Sequence, residues 1–359
     1  MEVVKGVYQI KIPLSGVSSA DNSTPIKASK DKLVDVIEQK VVGALALSYV
    51  NVYLIEGTKQ NVLIDTGWDN PDAFSTLNKA LRSFGFTFKD IGQIIITHIH
   101  PDHYGLSGKL KQITGAKIAM SNIEADLVES RYVDPNSLLK QMRSFLLANG
   151  VPRDSILHLS EVSLPVRKLV VPAIPDIILK DGKKIVVEPF EFRIIATPGH
   201  SPGHICLYEP KRKLLFSGDH ILPEITPNIG SHPQSGDNPL RAYINSLQEL
   251  MKLEVNFAFP GHGPSFSGVR QIIQNILLHH EQRRAAILKS LQDNMKTAYQ
   301  VALDIPWLSD VKPVNFQSLS FFDQRLAMME TLAHIQYLHA EGKVQLFKQD
   351  DTNLYFAGG

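Results

Sequence analysis

Thr97-His98-Ile99-His100-Pro101-Asp102-His103 decides how the rest of this chain is read. It follows IGQIII (91–96), an apolar run that reads as a buried strand, and it packs four metal-ligand side chains into six positions. Near the end of a strand, residues two apart point to the same side, so His98 and His100 are expected to aim their imidazoles at one point. Asp102 and His103 come where the chain turns into a helix and offer a second cluster close by. A polar loop holding chance histidines is the bland alternative, and it does not explain this density.

Strands surround the segment on both sides. GVYQIKI (6–12), SYVNVYLIEG (48–57) and QNVLIDTG (60–67) alternate or carry β-branched runs, and the opening Met1–Gly16 reads as one amphipathic strand ending in a turn. The polar stretch Gly16 to Lys40 is long for a hairpin and is expected to be a flap or to carry a short helix. Phe74, Leu77, Leu81 and Phe84 recur at helical spacing. After His103 come a helix (105–115), a short strand (116–121) and helical material, taken as a cap over about 122–160. Strands return at 184–200, 204–220 and 255–263, with a helix near 240–253. The segment NVLIDTG echoes KLLFSGD, which suggests one sheet per half, the two facing each other. His200, Asp219 and His262 each lie just past one of the later strands, where loops gather at a sheet edge. Each is weak alone, since a histidine or aspartate in a Gly turn is commonly structural; with the first cluster they supply what it lacks.

Composition narrows the classes. The chain of 359 residues carries 37 basic and 36 acidic residues, so no global field favours nucleic acid or an acidic membrane. Its one cysteine, Cys206, cannot form an internal disulfide, which makes the cytosol the default compartment. The start has no signal-peptide core, and the most apolar stretch, Val41 to Ile55, is too short to span a bilayer. From about Gly268 the pattern is helical: a long helix over 269–291, a short one at TAYQVAL, another ending at Gly342, and a hairpin turning at Lys348 to Asn353. Arg283 and Arg284 read as a solvated helix face.

With these residues in place, the chain resembles the metallo-β-lactamase-fold hydrolases, THIHPDHYG matching their HxHxDH signature and Asp65, His200, Asp219 and His262 following in order. The resemblance implies an α/β fold, an αββα sandwich over residues 1–267, with His98, His100 and His200 on one metal, Asp102, His103 and His262 on a second, and Asp219 bridging. It implies that Asp65 orients a histidine without binding metal. Retention of Asp102 and Asp219 resembles the glyoxalase II branch and not the antibiotic-degrading enzymes, because Cys206 does not match their cysteine ligand. Residues 268–359 resemble the winged-helix-like appendage of one branch of these hydrolases.

The ligand set implies two divalent metals, zinc first with iron or manganese as alternatives, and a hydroxide that Asp102 orients; the resemblance to the glyoxalase II branch implies that it hydrolyses a small-molecule thioester or ester. His204 is expected to hydrogen-bond near the metals. Tyr104 and His220 are weaker candidates for substrate contact, each with a packing role as its equal. A lactonase and a metal-dependent endoribonuclease or phosphodiesterase are the competing activities. A redox protein would need an FMN domain that the helical tail does not resemble, and a non-catalytic binding module would have lost ligands. The tail has no cationic excess to hold phosphates, so nucleic acid is not the expected partner; a homodimer contact or closure of one side of the site is.

Overall fold

In the computed structural model, residues 1–14, 48–307 and 314–358 are described, so the stretch Gly16 to Lys40 lies outside the described residues. The first half makes a seven-stranded sheet whose spatial order follows the chain: β1 (Glu2–Val4), β2 (Val7–Pro13), β3 (Tyr49–Ile55), β4 (Asn61–Ile64), β5 (Ile91–Ile95), β6 (Lys117–Ser121) and β7 (Ile177–Leu179). The first four are antiparallel neighbours and β4 to β7 are parallel. The opening is therefore a hairpin and not the single strand expected. The second half makes a five-stranded sheet from β8 (Lys184–Val187), β9 (Phe190–Ala196), β10 (Ile205–Glu209), β11 (Leu214–Gly218) and β12 (Phe257–Pro260), antiparallel except for the β11–β12 pair. The echo between NVLIDTG and KLLFSGD has a structural basis: β4 and β11 each have a parallel partner reached through a helix.

Those crossovers put helices outside both sheets, as parallel pairing requires. Helix Pro71–Ser83 starts where Asn70 accepts from the Ala73 N–H at 2.7 Å and Pro71 presets the first turn. It covers the first sheet together with helix Ser107–Thr114, through Leu77, Leu81 and Leu110 against Ile10, Leu54 and Ile94. Helix Pro239–Leu250, opened the same way by Asn238, and the first half of helix Val269–Leu291 cover the second sheet, through Leu240, Leu247, Ile273 and Ile276 against Cys206 and Leu215. Between the sheets lies a core of Tyr53, Ile55, Ile64, Phe192, Leu207, Phe216 and Phe259. The layers are α, β, β, α.

The cap consists of helices Asn122–Val128, Asn136–Ala148 and Ile156–Glu161. The C-terminal part holds helices Ala298–Asp304 and Phe321–Ala340, then the hairpin β13 (Gln345–Gln349) and β14 (Thr352–Phe356). Composition placed a boundary at 267/268, but no break in packing occurs there. Met142, Leu146, Ile156 and Leu159 of the cap share one core with Ile287, Leu291, Val301, Leu332 and Leu338 of the tail. Arg283 and Arg284 also depart from the solvated face expected of them. Arg283 pairs with Glu330 at 3.3 Å and lies over the Trp307 ring, and Arg284 lies over Tyr337, because the C-terminal helix packs along that side. Among the described residues no helix is long and apolar enough to cross a membrane.

Candidate metal centre

The loops leaving β4, β5, β9, β11 and β12 converge at one edge of the sandwich, where α/β sheets characteristically bind ligands. They bring all seven singled-out residues together: His98, His100 and His200 form one group, His98, His103 and Asp219 a second, and Asp102, His103 and His262 a third. The route for His98 and His100 differs from the one expected. β5 ends at Ile95, so the two histidines stand in the loop beyond it, not on alternate strand positions. They meet through different nitrogens, His98 Nε2 and His100 Nδ1, at 3.0 Å.

Neighbouring groups set the proton on each ring. The Asp65 carboxylate accepts from the Thr97 N–H and hydroxyl, both at 2.8 Å, and faces His103 Nδ1 at 2.8 Å. The Thr97 hydroxyl is spent on Asp65, so its oxygen accepts from His98 Nδ1 at 3.1 Å. His200 Nδ1 donates to the Asn228 carbonyl at 3.0 Å and His262 Nδ1 to the Tyr49 carbonyl at 2.8 Å. Since these carbonyls and the Asp65 carboxylate only accept, and the Thr97 oxygen accepts from His98, all four rings of His98, His103, His200 and His262 carry a hydrogen on Nδ1 and turn Nε2, the nitrogen left for a metal, inward. His100 Nδ1 is 3.0 Å from both His98 Nε2 and His200 Nε2 and can donate to one at most.

Lone pairs crowded in this way call for a cation. His103 Nε2 stands 3.4 Å from Asp219 and 3.7 Å from Asp102, and His262 Nε2 stands 3.2 Å from Asp102 and 3.4 Å from Asp219. Yet neither nitrogen, nor Asp219 Oδ1, has a hydrogen-bond partner although all are buried. Donors bound tetrahedrally at 2.0–2.1 Å from one ion lie about 3.3 Å apart, which is the spacing seen. The residues fit divalent metals, Asp219 lying within 3.7 Å of His200 as well as near His103 and His262. Burial, then neighbouring imidazoles, drive His98 and His100 well below the ordinary histidine range. Burial opposes charge on His262 too, but the carboxylates of Asp219 and Asp102 outweigh it and raise the ring to about 10. Burial likewise pushes Asp102 up, and His103 and His262 overcome this and hold it at about 2. Metal uptake at this group is accordingly coupled to proton release.

The surroundings lock the loops. Asn51 of β3 donates to the carbonyls of Pro260 and Gly263, and Tyr53 donates to Pro260, which ties the His262 loop to the opposite sheet. A Cβ at Gly261 would strike Asp219 Oδ1 and His103, so the backbone there must be glycine. Sequence reasoning missed Glu124. It is fully buried in the first cap helix, accepting from the Ile99 N–H at 2.9 Å and from the Ser201 hydroxyl and Gly203 N–H at 2.6 Å, and so joins the His98 and His200 loops. Asn228 and Glu330 were missed as well. Asn228 Nδ2 donates to Glu330 at 3.1 Å, which links the C-terminal helix to the carbonyl that holds His200.

His204 accepts from the Asp219 N–H at 3.2 Å and faces Thr197 Oγ1 at 2.7 Å, so both its nitrogens are used beside the centre. Tyr104 and His220 are corrections. Tyr104 is fully buried with its hydroxyl against the Ala173 backbone, and His220 is fully buried between His204 and Tyr243, so the packing role is the one the structure shows for each. Tight helix and loop packing wins over exposure at both.

A family model described as the metallo-beta-lactamase superfamily matches residues 45–262. The chain belongs to this superfamily. Among its relatives, a Bacillus subtilis protein named "Probable metallo-hydrolase YqjP" is 26% identical over 337 residues, covering 90% of this chain and 97% of that one. The "Atrochrysone carboxyl ACP thioesterase" of Aspergillus fumigatus is 23% identical over 272 residues, covering 72% of this chain and 67% of the other. A crystal structure of a metallo-beta-lactamase family protein from Thermus thermophilus superimposes with a TM-score of 0.77 at 28% identity and covers 99% of both chains, so that likeness runs through the C-terminal helices. This is a hydrolase of the metallo-β-lactamase superfamily, a fold that implies divalent metal ions.

Proposed function

We propose that the chain is a dinuclear-metal hydrolase of small-molecule thioesters or related esters. The observation that carries this reading is the pair of carboxylates: Asp102 completes the group with His103 and His262, and Asp219 lies against both that group and His200. The relative named as a thioesterase supports the choice of acyl chemistry.

Divalent metals bound to these residues supply Lewis acidity and lower the pKa of water. The chain's own residues do the rest. Asp102, its side chain 17% exposed against 9% for Asp219, is the more open of the two carboxylates, so it meets the attacking water and orients it. Asp65 and Thr97 hold His103 and His98 in the ligating tautomer. Covalent catalysis by Cys206 has no place in the scheme: burial pushes its thiol up to about 12, within β10 and behind Thr197. The C-terminal helices and hairpin fit a winged-helix-like module that shapes one side of the entrance.

The test is turnover of a thioester, a lactone, a phosphodiester and a β-lactam by zinc-, iron- and manganese-loaded protein, with Asp102→Asn alongside. Thioester or ester cleavage should dominate, vanish on chelation and fall steeply in the variant. Cleavage of the phosphodiester alone, or an Asp102→Asn rate within about tenfold of the parent, roughly 1.4 kcal/mol of barrier, overturns the proposal.

A further inference from the structure

Two arginines from distant parts of the chain approach the 228–234 loop beside the metal centre, Arg131 directly and Arg325 through its neighbour Leu326. Arg131 lies in the π-type turn Glu129–Val133 that ends the first cap helix, and its neighbour Tyr132 donates to the Ile99 carbonyl, between His98 and His100, at 2.5 Å. Arg325 lies in the C-terminal helix. Its neighbour Leu326 offers a carbonyl to Asn228 Nδ2 at 3.4 Å, and the Asn228 carbonyl in turn takes His200 Nδ1. Each arginine is thus one residue away from a contact that fixes a ligand loop.

Their hydrogen bonds satisfy geometry without neutralising charge. Arg131 Nε donates to Gln234 Oε1 at 3.0 Å, and Arg325 Nη1 donates to Ser163 Oγ at 2.7 Å. Among the described residues neither guanidinium has a carboxylate partner, whereas Arg143, Arg212, Arg241 and Arg283 each have one. His232 joins them. Its Nδ1 accepts from the Gln234 N–H at 3.2 Å, so Nε2 carries the hydrogen as a donor. Burial and then Arg131 lower the Arg325 guanidinium to about 10, and burial followed by Arg131 and Arg325 keeps His232 well below the ordinary histidine range. Two cations held close together and partly out of water are costly, and their bonds to Gln234, Ser163 and the Ser160 carbonyl bring no opposing charge to either.

We propose that Arg131, Arg325 and His232 form a subsite for an anionic group of the substrate, a carboxylate or a phosphate, between the cap and the C-terminal helix. Guanidinium forks match such oxyanions, and a neutral imidazole donor adds a third contact. What the anion is attached to rests on the ester-hydrolase reading; its binding does not.

The experiment uses full-length, zinc-loaded protein as wild type, Arg131→Gln, Arg325→Gln and Arg325→Lys. Three thioesters serve as substrates: one uncharged, one with a carboxylate on the acyl half, one with a phosphate on the thiol half. At least one anionic substrate should lose about tenfold or more in kcat/KM, through KM, in both Gln variants, with Arg325→Lys intermediate and the uncharged thioester nearly unaffected. The arm that responds identifies which half carries the anion. Equal losses for charged and uncharged substrates mean the arginines only brace the cap, and the proposal falls. Arg131→Gln, at a half-buried position, keeps the test decisive if Arg325→Gln does not fold. Titration with inorganic phosphate separates this proposal from the hydrolase reading. Affinity weakened about tenfold in the Gln variants at unchanged zinc content supports the subsite even without thioester turnover, and equal affinity in all four proteins overturns it.

Discussion

Replacing Glu124 by Ala removes the acceptor of three donors at once: the Ile99 and Gly203 N–H groups and the Ser201 hydroxyl. Each orphaned donor costs about 1–3 kcal/mol, and loss of such outer support lowers metal affinity about 10–100-fold. Competition with a chelator should show the drop in zinc affinity and a urea titration the drop in midpoint, Glu124→Gln falling between; unchanged zinc affinity would remove Glu124 from the site. The sequence hid this residue behind a second, equally valid signal. Ser121-Asn122-Ile123-Glu124 reads as a helix start, and Ser121 does accept from the Glu124 N–H at 3.2 Å, but the carboxylate turns inward and leaves the cap box. The four ligand candidates of 98–103 were legible because dense His/Asp spacing has few other causes, and His200, Asp219 and His262 became legible only beside them. Their tautomers were not, since these depend on Asp65, Asn228 and the Tyr49 carbonyl, brought in from other elements.

Helices Val269–Leu291 and Phe321–Ala340 meet at a buried imidazole pair. His334 Nδ1 donates to the Glu330 carbonyl at 2.9 Å, so its Nε2 accepts from His280 Nδ1 at 3.1 Å. Burial holds His334 at about 4 and His280 well below its ordinary value. The unfolded chain takes up these protons near pH 6.5 and the folded one resists them, so stability falls as pH drops from about 6.5 towards 4, by up to about 1.4 kcal/mol per pH unit per group. Urea midpoints at pH 7, 6 and 5 should decline less in a His280→Gln/His334→Gln double variant than in the parent; parallel declines would refute the assignment. Both helices were legible from their length and helix-favouring composition, although Phe321–Ala340 carries no amphipathic stripe: Met328, Met329, Leu332, Ala333 and Ile335 are buried on successive faces. The three-residue strand β7 was not, because Ile177-Ile178-Leu179 is too short to alternate, and the β1–β2 turn at Lys5-Gly6 was lost inside an apparently continuous strand.

Across the whole molecule the charge is balanced, 37 basic against 36 acidic residues, and arginines of the C-terminal part are engaged within the protein. Arg283 is spent on Glu330, Arg284 lies over Tyr337, and Arg325 turns toward the cap. Labelled DNA and RNA titrated at two salt concentrations should therefore bind only weakly; submicromolar, steeply salt-dependent affinity would contradict this and raise the nuclease reading. The sequence set the tail apart as a unit because its pattern turns helical at 268, but a change of pattern carries no information about which surfaces share a core. Met142, Leu146 and Leu159 fill the same interior as Leu291, Leu332 and Leu338. Cap and tail are consequently a single heritable piece despite more than a hundred residues between them: a chimera that takes a tail from one relative must take that relative's cap with it, and recombination at 268 alone joins two interiors that were never fitted to each other.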